Sequence, residues 1–437
     1  MMPYCRRYLH ETVAALAAIV AIGSVAVAGL DNGLDRTPFL GFNTWEGVGC
    51  NVTEKYVMDA ADAMVTTGLL DAGYDVLSID DCWVDAKRNA SGFLQPSRDF
   101  ADVSAISRSS GSSMRALSDY VHSRGLKFGL YQSAGTMTCQ QRAGSLGYEW
   151  IDAQTFADWK IDLLKYDDCF HEGFSQVEKD SARRFPFDGP PILRYPLMAM
   201  ALNKTGRNIS YYCNFPWQLW GSRNDAAMGG AWVAEFCNSW RTCGDPSPGF
   251  DNAMSYVDCA EQWANVVPSG PGAFNNLAAI EIGNGAMTLP QAQAAFSLYA
   301  LVRTPILIGG DVLSLSSQAL SVYLNKEIID TVVKDPLGKP GRRIREATSP
   351  LGELWSGQLA GTNRFIVALV NRDAQARNAT LRFTPEDLPG LSLTGGTPRD
   401  VRDVWKHASK EPMPNPGDEQ MTVQLNATSA AVYVLQF

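Results

Sequence analysis

The sequence predicts an α/β fold: a (β/α)₈ TIM barrel followed by a C-terminal antiparallel β-sandwich. From residue 39 to about 310, short apolar segments alternate with helical patterns, which is typical of parallel strands joined by right-handed crossovers. Eight such units in about 270 residues match the size of a closed barrel. An open doubly wound sheet would carry a Gly-rich phosphate turn after an early strand, and the sequence contains none there.

Eight apolar segments are the predicted barrel strands: 38–45, 74–83, 126–132, 162–168, 208–215, 233–240, 273–282 and 304–311. Polar and aromatic residues gather at their C-terminal ends, where barrel active sites are built. One predicted helix runs from about 55 to 70, with Val57, Ala61 and Met64 at helical spacing. A second contains residues 114–121 and stops at Gly125.

The pattern changes after KDPLGKPGRR, residues 334–343, a linker rich in Pro, Gly and basic residues. The segments beyond it read as strands between turn-rich stretches: ELWSGQL, RFIVALVN, ATLRFTP, RDVRDVW and MTVQLNATSAAVYVLQF. Consecutive strands without intervening helices indicate an antiparallel β-sandwich. The predicted domains are therefore the barrel at 29–333 and the sandwich at 344–437.

The N-terminus has the features of a secretory signal peptide over residues 1–28. Arg6 and Arg7 precede an apolar run that ends in Ala-Val-Ala at Ala28. The alternative is an uncleaved membrane anchor, but a spanning helix needs about 18 or more apolar residues and this run is short. We therefore expect no stable membrane association after cleavage.

Sequons and cysteines also indicate export. Six N-x-[ST] sequons begin at Asn51, Asn89, Asn203, Asn208, Asn378 and Asn426, a pattern typical of a glycosylated protein. Removal of Cys5 with the signal peptide leaves eight of the nine cysteines, an even number that suits disulfides in an oxidising compartment. We predict a secreted protein or one delivered to the lysosome or vacuole. Whether it is a monomer or a homodimer stays open.

Composition narrows the class of partner. The chain is 46% apolar and 19% charged, which is globular, and its formal net charge of -9 argues against nucleic acid and against an anionic membrane surface. The cysteines form no CxxC pair and the four histidines are scattered, so we expect no zinc site.

The segment DLLKYDDC, residues 162–169, places a lysine and two aspartates at the end of an apolar strand. Side chains alternate faces along a strand, so Lys165 and Asp167 share one side, while Tyr166 and Asp168 share the other. A cation beside Asp167 would keep its carboxyl ionised, as a glycosidase nucleophile requires. The segment alone leaves open the alternative of a structural Lys–Asp pair.

A second pair of carboxylates, Asp80 and Asp81, ends the second strand and is followed by Trp83. Paired carboxylates beside an aromatic ring commonly hold sugars, because the oxygens accept from adjacent hydroxyls while the ring covers the apolar face. The competing interpretation is that Asp80, Asp81, Asp167 and Asp168 bind Mg²⁺ or Ca²⁺. We favour the sugar and expect no metal, since aromatic residues outnumber further oxygen ligands here.

A glycosidase requires a second catalytic carboxylate, and NSWRTCGD at 238–245 offers Asp245 beside Arg241 in a Gly-containing loop. Asp245 is therefore our candidate for the general acid/base. Three other carboxylates also lie near strand ends and compete for the role: Glu46, Glu235 and Glu281.

Eight motifs, in order along nearly the whole mature chain, resemble the α-galactosidases of glycoside hydrolase family 27: LGFNTW (40–45), IDDCW (79–83), KFGLY (127–131), GTMTC (135–139), LLKYDDC (163–169), NSWRTCGD (238–245), TPILIGGD (304–311) and VRDVWKH (401–407). The resemblance implies a (β/α)₈ barrel with a C-terminal β-sandwich. It also implies retaining hydrolysis of terminal α-D-galactosides without a cofactor, with a carbohydrate as the binding partner.

The resemblance also implies roles for individual residues. Asp167 matches the nucleophile and Asp245 the acid/base, while Asp80 and Asp81 match the pair that grips the 4- and 6-hydroxyls of galactose. The further implied sugar contacts are Trp45, Tyr131, Cys139, Lys165, Asn214, Trp217 and Arg241. By analogy with the family, three disulfides join Cys50 to Cys82, Cys139 to Cys169 and Cys213 to Cys237. We predict that the two remaining cysteines, Cys243 and Cys259, pair with each other, with free thiols as the alternative.

The chain departs from the family at two positions. The family motif N-D-P-D-M-L becomes NNLAAI at 275–280, so its second aspartate is Ala278. Asp168 stands where the family commonly has Asn; because it faces away from the nucleophile, we expect it to bond a neighbouring loop. Three alternative functions stay open: an α-N-acetylgalactosaminidase, a β-L-arabinopyranosidase and a catalytically silent galactose-binding protein. The bulky residues after Cys213 favour a substrate with a free 2-hydroxyl.

Overall fold

The structure is a computed structural model that describes residues 32–100, 113–170, 191–214, 232–265, 267, 269–392, 396–410 and 413–437. Nine strand segments form one parallel sheet in the order β7-β6-β5-β4-β3-β2-β1-β9-β8. The segments are β1 (Leu40–Asn43), β2 (Tyr74–Ile79), β3 (Lys127–Ser133), β4 (Leu163–Asp167), β5 (Ser210–Asn214), β6 (Ser239–Arg241), β7 (Phe274–Asn276), β8 (Ala279–Ile280) and β9 (Ile306–Ile308). The sheet curls on itself, and the predicted barrel is confirmed.

The predicted strand 273–282 is broken into β7 and β8. β7 pairs with β6, whereas β8 pairs with β9, so the two segments close the barrel through the chain that joins them. Ala278, in that connection, has a φ of 64°, and its amide donates to the Asn276 side-chain oxygen at 2.9 Å. This side-chain turn replaces a ladder bond, which explains why the strand is interrupted.

The predicted strand over 233–240 is wrong in its first half. Val233–Phe236 forms a short helix, α7, and the strand begins only at Ser239. The Cys237 amide bonds to the Val233 carbonyl at 2.8 Å and thereby closes the helical turn. A short apolar run is compatible with either structure, and here the local helical bond prevails.

Helices alternate with the barrel strands as predicted. They are α1 (Trp45–Val48), α2 (Glu54–Thr66), α3 (Leu69–Ala72), α4 (Ser113–Ser123), α5 (Glu149–Asp158), α6 (Pro191–Lys204), α7, α8 (Phe250–Trp263), α9 (Leu289–Leu301), α10 (Ser317–Tyr323) and α11 (Lys326–Ile328). Short 3₁₀ turns lie at Gly49–Asn51 and Arg98–Phe100, and a π-helical turn at Ile329–Val333. The helix predicted for 55–70 divides at Gly68, whose φ of 83° ends α2 and starts α3.

The C-terminal domain contains two antiparallel sheets, in agreement with the predicted sandwich. One has the order β10-β11-β12-β17-β14-β15, and the other is the pair β13-β16. Their bounds are β10 (Arg342–Arg345), β11 (Glu353–Gln358), β12 (Arg364–Asn371), β13 (Arg377–Arg382), β14 (Asp400–Asp403), β15 (Ala408–Ser409), β16 (Gln420–Leu425) and β17 (Ser429–Gln436). Leu354, Phe365, Leu381 and Leu435 are among the side chains that fill the space between them.

Helix α9 of the barrel packs against the C-terminal domain. It packs on β17, and the Trp405 indole N–H donates to the Ser297 hydroxyl at 2.9 Å. The predicted signal peptide lies outside the described residues. Within the described part of the chain, none of the helices has both the length and the apolar character needed to cross a membrane.

Candidate active site

A pocket opens at the carboxyl ends of the barrel strands and collects the predicted site residues. Ten of them line it together: Trp45, Asp80, Asp81, Tyr131, Cys139, Lys165, Asp167, Asn214, Arg241 and Asp245. They come from β1 to β6 or from the loops that follow those strands, although 200 residues separate Trp45 from Asp245. Trp217, the remaining member of the predicted set, lies outside the described residues.

Asp167, the last residue of β4, is held by three donors. The Tyr131 hydroxyl donates to one carboxylate oxygen at 2.8 Å, and the Asn214 amide and the Asp168 backbone N–H donate to the other at 2.9 Å each. Burial raises the pKa of Asp167 to about 6, even though the Lys165 cation and these donors lower it. The carboxylate is therefore oriented on both oxygens and is ionised at neutral pH.

Lys165 shares the pocket face with Asp167, as strand alternation predicts, but its direct ion pair is elsewhere. Its ammonium lies 2.7 Å from an Asp80 oxygen and over the Tyr131 ring, 5.4 Å from the ring centroid. Burial lowers the pKa of Lys165, but Asp80, Tyr212 and Asp167 together outweigh that effect and raise it. Lys165 lowers the pKa of Asp167 as expected, but burial has the larger effect and raises it.

Asp80 and Asp81 follow β2 and use different sets of donors. One Asp80 oxygen accepts from Lys165, and the other accepts from the Asp81 amide at 2.9 Å. Asp81 accepts from Thr138 and from the Gln140 amide, both at 2.8 Å, in the loop after β3. Burial raises the pKa of Asp81, while these donors lower it. The two carboxylates thus form a fixed, buried acceptor pair.

Asp245 lies four residues after Arg241, the last residue of β6. The Arg241 guanidinium is 3.0 Å from an Asp245 oxygen, and the Arg241 side chain is only 3% exposed whereas that of Asp245 is 81% exposed. Arg241 also donates to the carbonyls of Cys243 and Gly244. A buried arginine therefore shapes the loop that presents a solvent-facing carboxylate at the pocket mouth.

The structure contains four disulfides, and they join the same pairs as expected from the sequence: Cys50–Cys82, Cys139–Cys169, Cys213–Cys237 and Cys243–Cys259. The first two link loops that follow neighbouring strands. The Cys139 sulfur lies 3.3 Å from an Asp167 oxygen and 3.2 Å from the Tyr131 hydroxyl. The Cys243–Cys259 bond fastens the Asp245 loop to α8. Two disulfides thus hold the loops that carry the candidate catalytic carboxylates.

Asp168 faces the opposite side of the strand end and pairs with a helix. Its carboxylate lies 2.5 Å from the guanidinium of Arg194 on α6, and both side chains are 3% exposed or less. Arg194 also approaches the Ala134 carbonyl after β3, at 3.4 Å. Because Asp168 points away and Asp80 pairs with Lys165, the four aspartates do not converge on one ion.

Comparison with known proteins adds an independent observation. A family model described as alpha galactosidase A matches residues 37–335, and one for the alpha galactosidase C-terminal beta sandwich domain matches residues 352–435. The chain belongs to the alpha galactosidase A family. A curated relative, Alpha-galactosidase 3 of Arabidopsis thaliana, is 38% identical over 93% of this chain and 83% of its own length.

Solved structures agree with this family assignment. The crystal structure of alpha-galactosidase I from Mortierella vinacea superposes with a TM-score of 0.75 at 30% identity, covering 93% of this chain and 98% of that one. A Saccharomyces cerevisiae alpha-galactosidase, solved with raffinose, also gives 0.75 at 25% identity, covering 94% of this chain and all of that one.

Sequence reasoning missed two polar residues that line the pocket: Asn43 and Tyr212. Alternation could have found Tyr212, which lies two residues before Asn214 on β5 and beside Lys165 in the sheet register. Glu46 was considered only as a competing acid. Ala278 also lines the pocket, so this chain presents a methyl group where the family has an aspartate.

The three competing glutamates have different positions. Glu46 lines the pocket, whereas Glu235 on α7 and Glu281 after β8 are not among its lining residues. Glu281 is buried, and burial together with the nearby Glu46 raises its pKa to about 8. It is therefore a predominantly neutral, structural acid at pH 7, and Asp245 remains the exposed carboxylate of the site.

Proposed function

We propose that this chain hydrolyses terminal α-D-galactosyl residues of galactosides by double displacement, with Asp167 as nucleophile and Asp245 as acid/base. The observation that carries the proposal is the contrast between two carboxylates at one pocket. Asp167 is bonded to three donors, whereas Asp245 is exposed at the mouth beside Arg241. Carboxylates in unlike environments can divide the roles of nucleophile and acid.

In the first step, Asp245 gives a proton to the glycosidic oxygen while Asp167 attacks the anomeric carbon from the opposite side. The leaving alcohol departs through the open mouth, and a galactosyl ester forms on Asp167. Tyr131 and Asn214 fix the angle of attack because each bonds a different carboxylate oxygen. In the second step, Asp245 takes a proton from water, which hydrolyses the ester and restores the original anomeric configuration.

Sugar recognition is proposed to rest on the Asp80–Asp81 pair. The pair is buried, and its orientation is set by Lys165, Thr138 and the Gln140 amide. A site built to bond hydroxyls discriminates strongly against sugars that present them differently, because its buried acceptors are then left unpaired. The raffinose bound by the yeast relative supports a carbohydrate substrate of this kind.

The three alternatives are not favoured. A catalytically silent protein would not need both candidate carboxylates at one pocket. A β-L-arabinopyranoside lacks the 6-hydroxymethyl group for which the Asp80–Asp81 pair is suited. For an α-N-acetylgalactosaminide, Tyr212 and Asn214 add bulk to the pocket wall, which favours a free 2-hydroxyl.

The deciding experiment compares wild-type protein with Asp167→Asn and Asp245→Asn on nitrophenyl α-galactoside, with the anomer of the released sugar followed by proton NMR. We expect α-galactose as first product and loss of turnover in Asp167→Asn with an unchanged melting temperature. Asp158→Asn, an exposed aspartate at the end of α5, is the matched control and should keep full activity. Near-normal turnover of Asp167→Asn, or release of β-galactose, would overturn the proposal.

We also propose that the protein follows the secretory pathway, to the cell exterior or to a lysosome or vacuole. All six sequon asparagines are exposed, and four disulfides suit an oxidising compartment. Treatment of the native protein with an N-glycanase should increase its electrophoretic mobility in several steps. Unaltered mobility, together with an intact residue 1–28 segment by mass spectrometry, would contradict export.

A further inference from the structure

Glu46 lines the pocket from the turn that follows β1. It lies in α1, which begins directly after β1, and the Trp45 amide that opens this helix donates to the Asn43 side chain at 3.0 Å. The side chain is partly buried and lines the same pocket as Asp167 and Asp245. Its position is therefore fixed by the turn that ends β1.

Much of the wall around Glu46 is apolar, although Asn43 at the end of β1 also lines the pocket. β8, β9 and β1 are neighbours in the sheet, and Ala279, Leu307 and Gly41 lie side by side in their register. Ala278 and Ala279 line the pocket here together with Leu307. These three strands and the turns that follow them contribute several of the described lining residues. Among those residues, Glu46 is the one with an ionisable side chain.

The Glu46 carboxyl differs from the other pocket acids in having no protein donor. Asp80, Asp81 and Asp167 each accept at least two hydrogen bonds. In the described part of the chain, by contrast, no hydrogen bond or ion pair reaches the Glu46 carboxyl. A partly buried carboxylate without a partner is costly, and a ligand hydroxyl would supply the missing donor.

The Glu46 carboxyl interacts electrostatically with charged groups from both functional halves of the site. Burial raises the pKa of Glu46; Lys165 and Arg241 lower it, while Asp80 and Asp245 raise it. Glu46 is thus in the electrostatic range of both the acceptor pair and the acid/base. A hydroxyl placed between them on a bound substrate would meet Glu46.

We propose that Glu46 is a further specificity-determining residue, which accepts a hydrogen bond from a substrate hydroxyl on the wall formed by β8, β9 and β1. It supplies the carboxylate on a wall where Ala278 presents only a methyl group. The bonded hydroxyl belongs either to the galactosyl unit or to the first sugar of the leaving group. This inference rests on the proposed role of the pocket as the site of galactoside hydrolysis.

The test measures kcat and KM of Glu46→Gln and Glu46→Ala on nitrophenyl α-galactoside and on raffinose. We expect kcat/KM to fall by about 10-fold or more in Glu46→Ala, the size typical of a lost bond to a charged group, and by less in Glu46→Gln, whose amide oxygen still accepts. An equal loss on both substrates assigns the hydroxyl to the galactosyl unit. A loss on raffinose alone assigns it to the leaving group.

Glu235→Gln is the matched control, because Glu235 is also a partly buried glutamate but does not line the pocket. This variant should keep the wild-type kcat/KM on both substrates. Melting temperatures check that all variants fold. Values of kcat/KM within about twofold of wild type for Glu46→Ala on both substrates would overturn the inference. Asp167→Asn, assayed in parallel, separates the two failures: retained turnover there would instead reject the proposed function of the pocket.

Discussion

The buried ion pair between Asp168 and Arg194 gives the most specific stability prediction. The two charged groups lie 2.5 Å apart, and their side chains are 3% and 1% exposed. Removing one member of such a pair takes a strong partner away from a charge in a low-dielectric interior, which costs about 3–5 kcal/mol. Arg194→Met should therefore destabilise the barrel by about that amount, although the methionine keeps most of the apolar contact.

The expected loss of stability is large enough to be measured by thermal unfolding. At roughly 2–4 °C per kcal/mol for a domain of this size, Arg194→Met should melt about 6–20 °C below wild type. Adding Asp168→Asn should restore part of that loss, because the carboxylate that has lost its arginine is then absent. The resemblance to family members with Asn at this position makes the second substitution structurally reasonable.

An exposed ion pair is the matched control for the effect of burial. Arg115 pairs with Asp119 at 3.1 Å on the surface of α4, where the side chains are 29% and 45% exposed. Arg115→Met should change the stability by only about 0–1 kcal/mol. The reasoning is refuted if Arg194→Met melts within about 2 °C of wild type, or if the double variant is no more stable than Arg194→Met alone.

Three further predictions concern the catalytic loops. Because the nucleophile must be ionised, the pKa of Asp167 at about 6 predicts an acid limb in which kcat/KM falls about tenfold per pH unit below this value. An acid limb near pH 4, the ordinary range for aspartate, would contradict this. Tyr131→Phe removes a donor that lowers the pKa of Asp167, so the acid limb of the pH profile should move to higher pH and kcat/KM should drop about 10- to 100-fold. An acid limb at the wild-type pH would show that the Tyr131 hydroxyl does not act on Asp167. The double variant Cys243→Ser/Cys259→Ser removes a disulfide between cysteines with a sequence separation of 16, which should cost about 3 kcal/mol of stability. It should also lower kcat, because the Asp245 loop is held less firmly. Full activity at a reduced melting temperature would limit the disulfide to a structural role.

The barrel was predictable because its strands carry regular signals. Alternation of apolar strands with helical periodicity determines a parallel sheet, and strand ends in a parallel sheet meet at one rim. That rule alone brings Asp80, Tyr131, Asp167 and Asn214 together. The errors occurred where a side chain competes with the backbone, as Asn276 does when it interrupts the seventh strand, or where a short apolar run fits either structure, as at Val233–Phe236.

Pairing between distant residues was less predictable. Alternation correctly separates Lys165 from Asp168, but it does not say that Lys165 pairs with Asp80, 85 positions away, or that Asp168 pairs with Arg194 on α6. The pKa of Asp167 depends on how burial balances the lysine's field, and that balance is set by the closed barrel. Glu46 was underrated for a similar reason, because the sequence does not show that its side chain lines the same pocket as Asp167.

The central claim, that Asp167 forms a covalent bond to the sugar, can be tested by trapping the intermediate. The wild-type protein is incubated with an activated fluorinated α-galactoside, whose fluorine slows hydrolysis of the glycosyl ester, and the digest is sequenced by mass spectrometry. The account predicts one added fluorogalactosyl group, located on Asp167 in the peptide that contains Leu163–Asp167. Attachment to Asp168, Asp80 or Asp245, or inactivation without any covalent sugar, would contradict it.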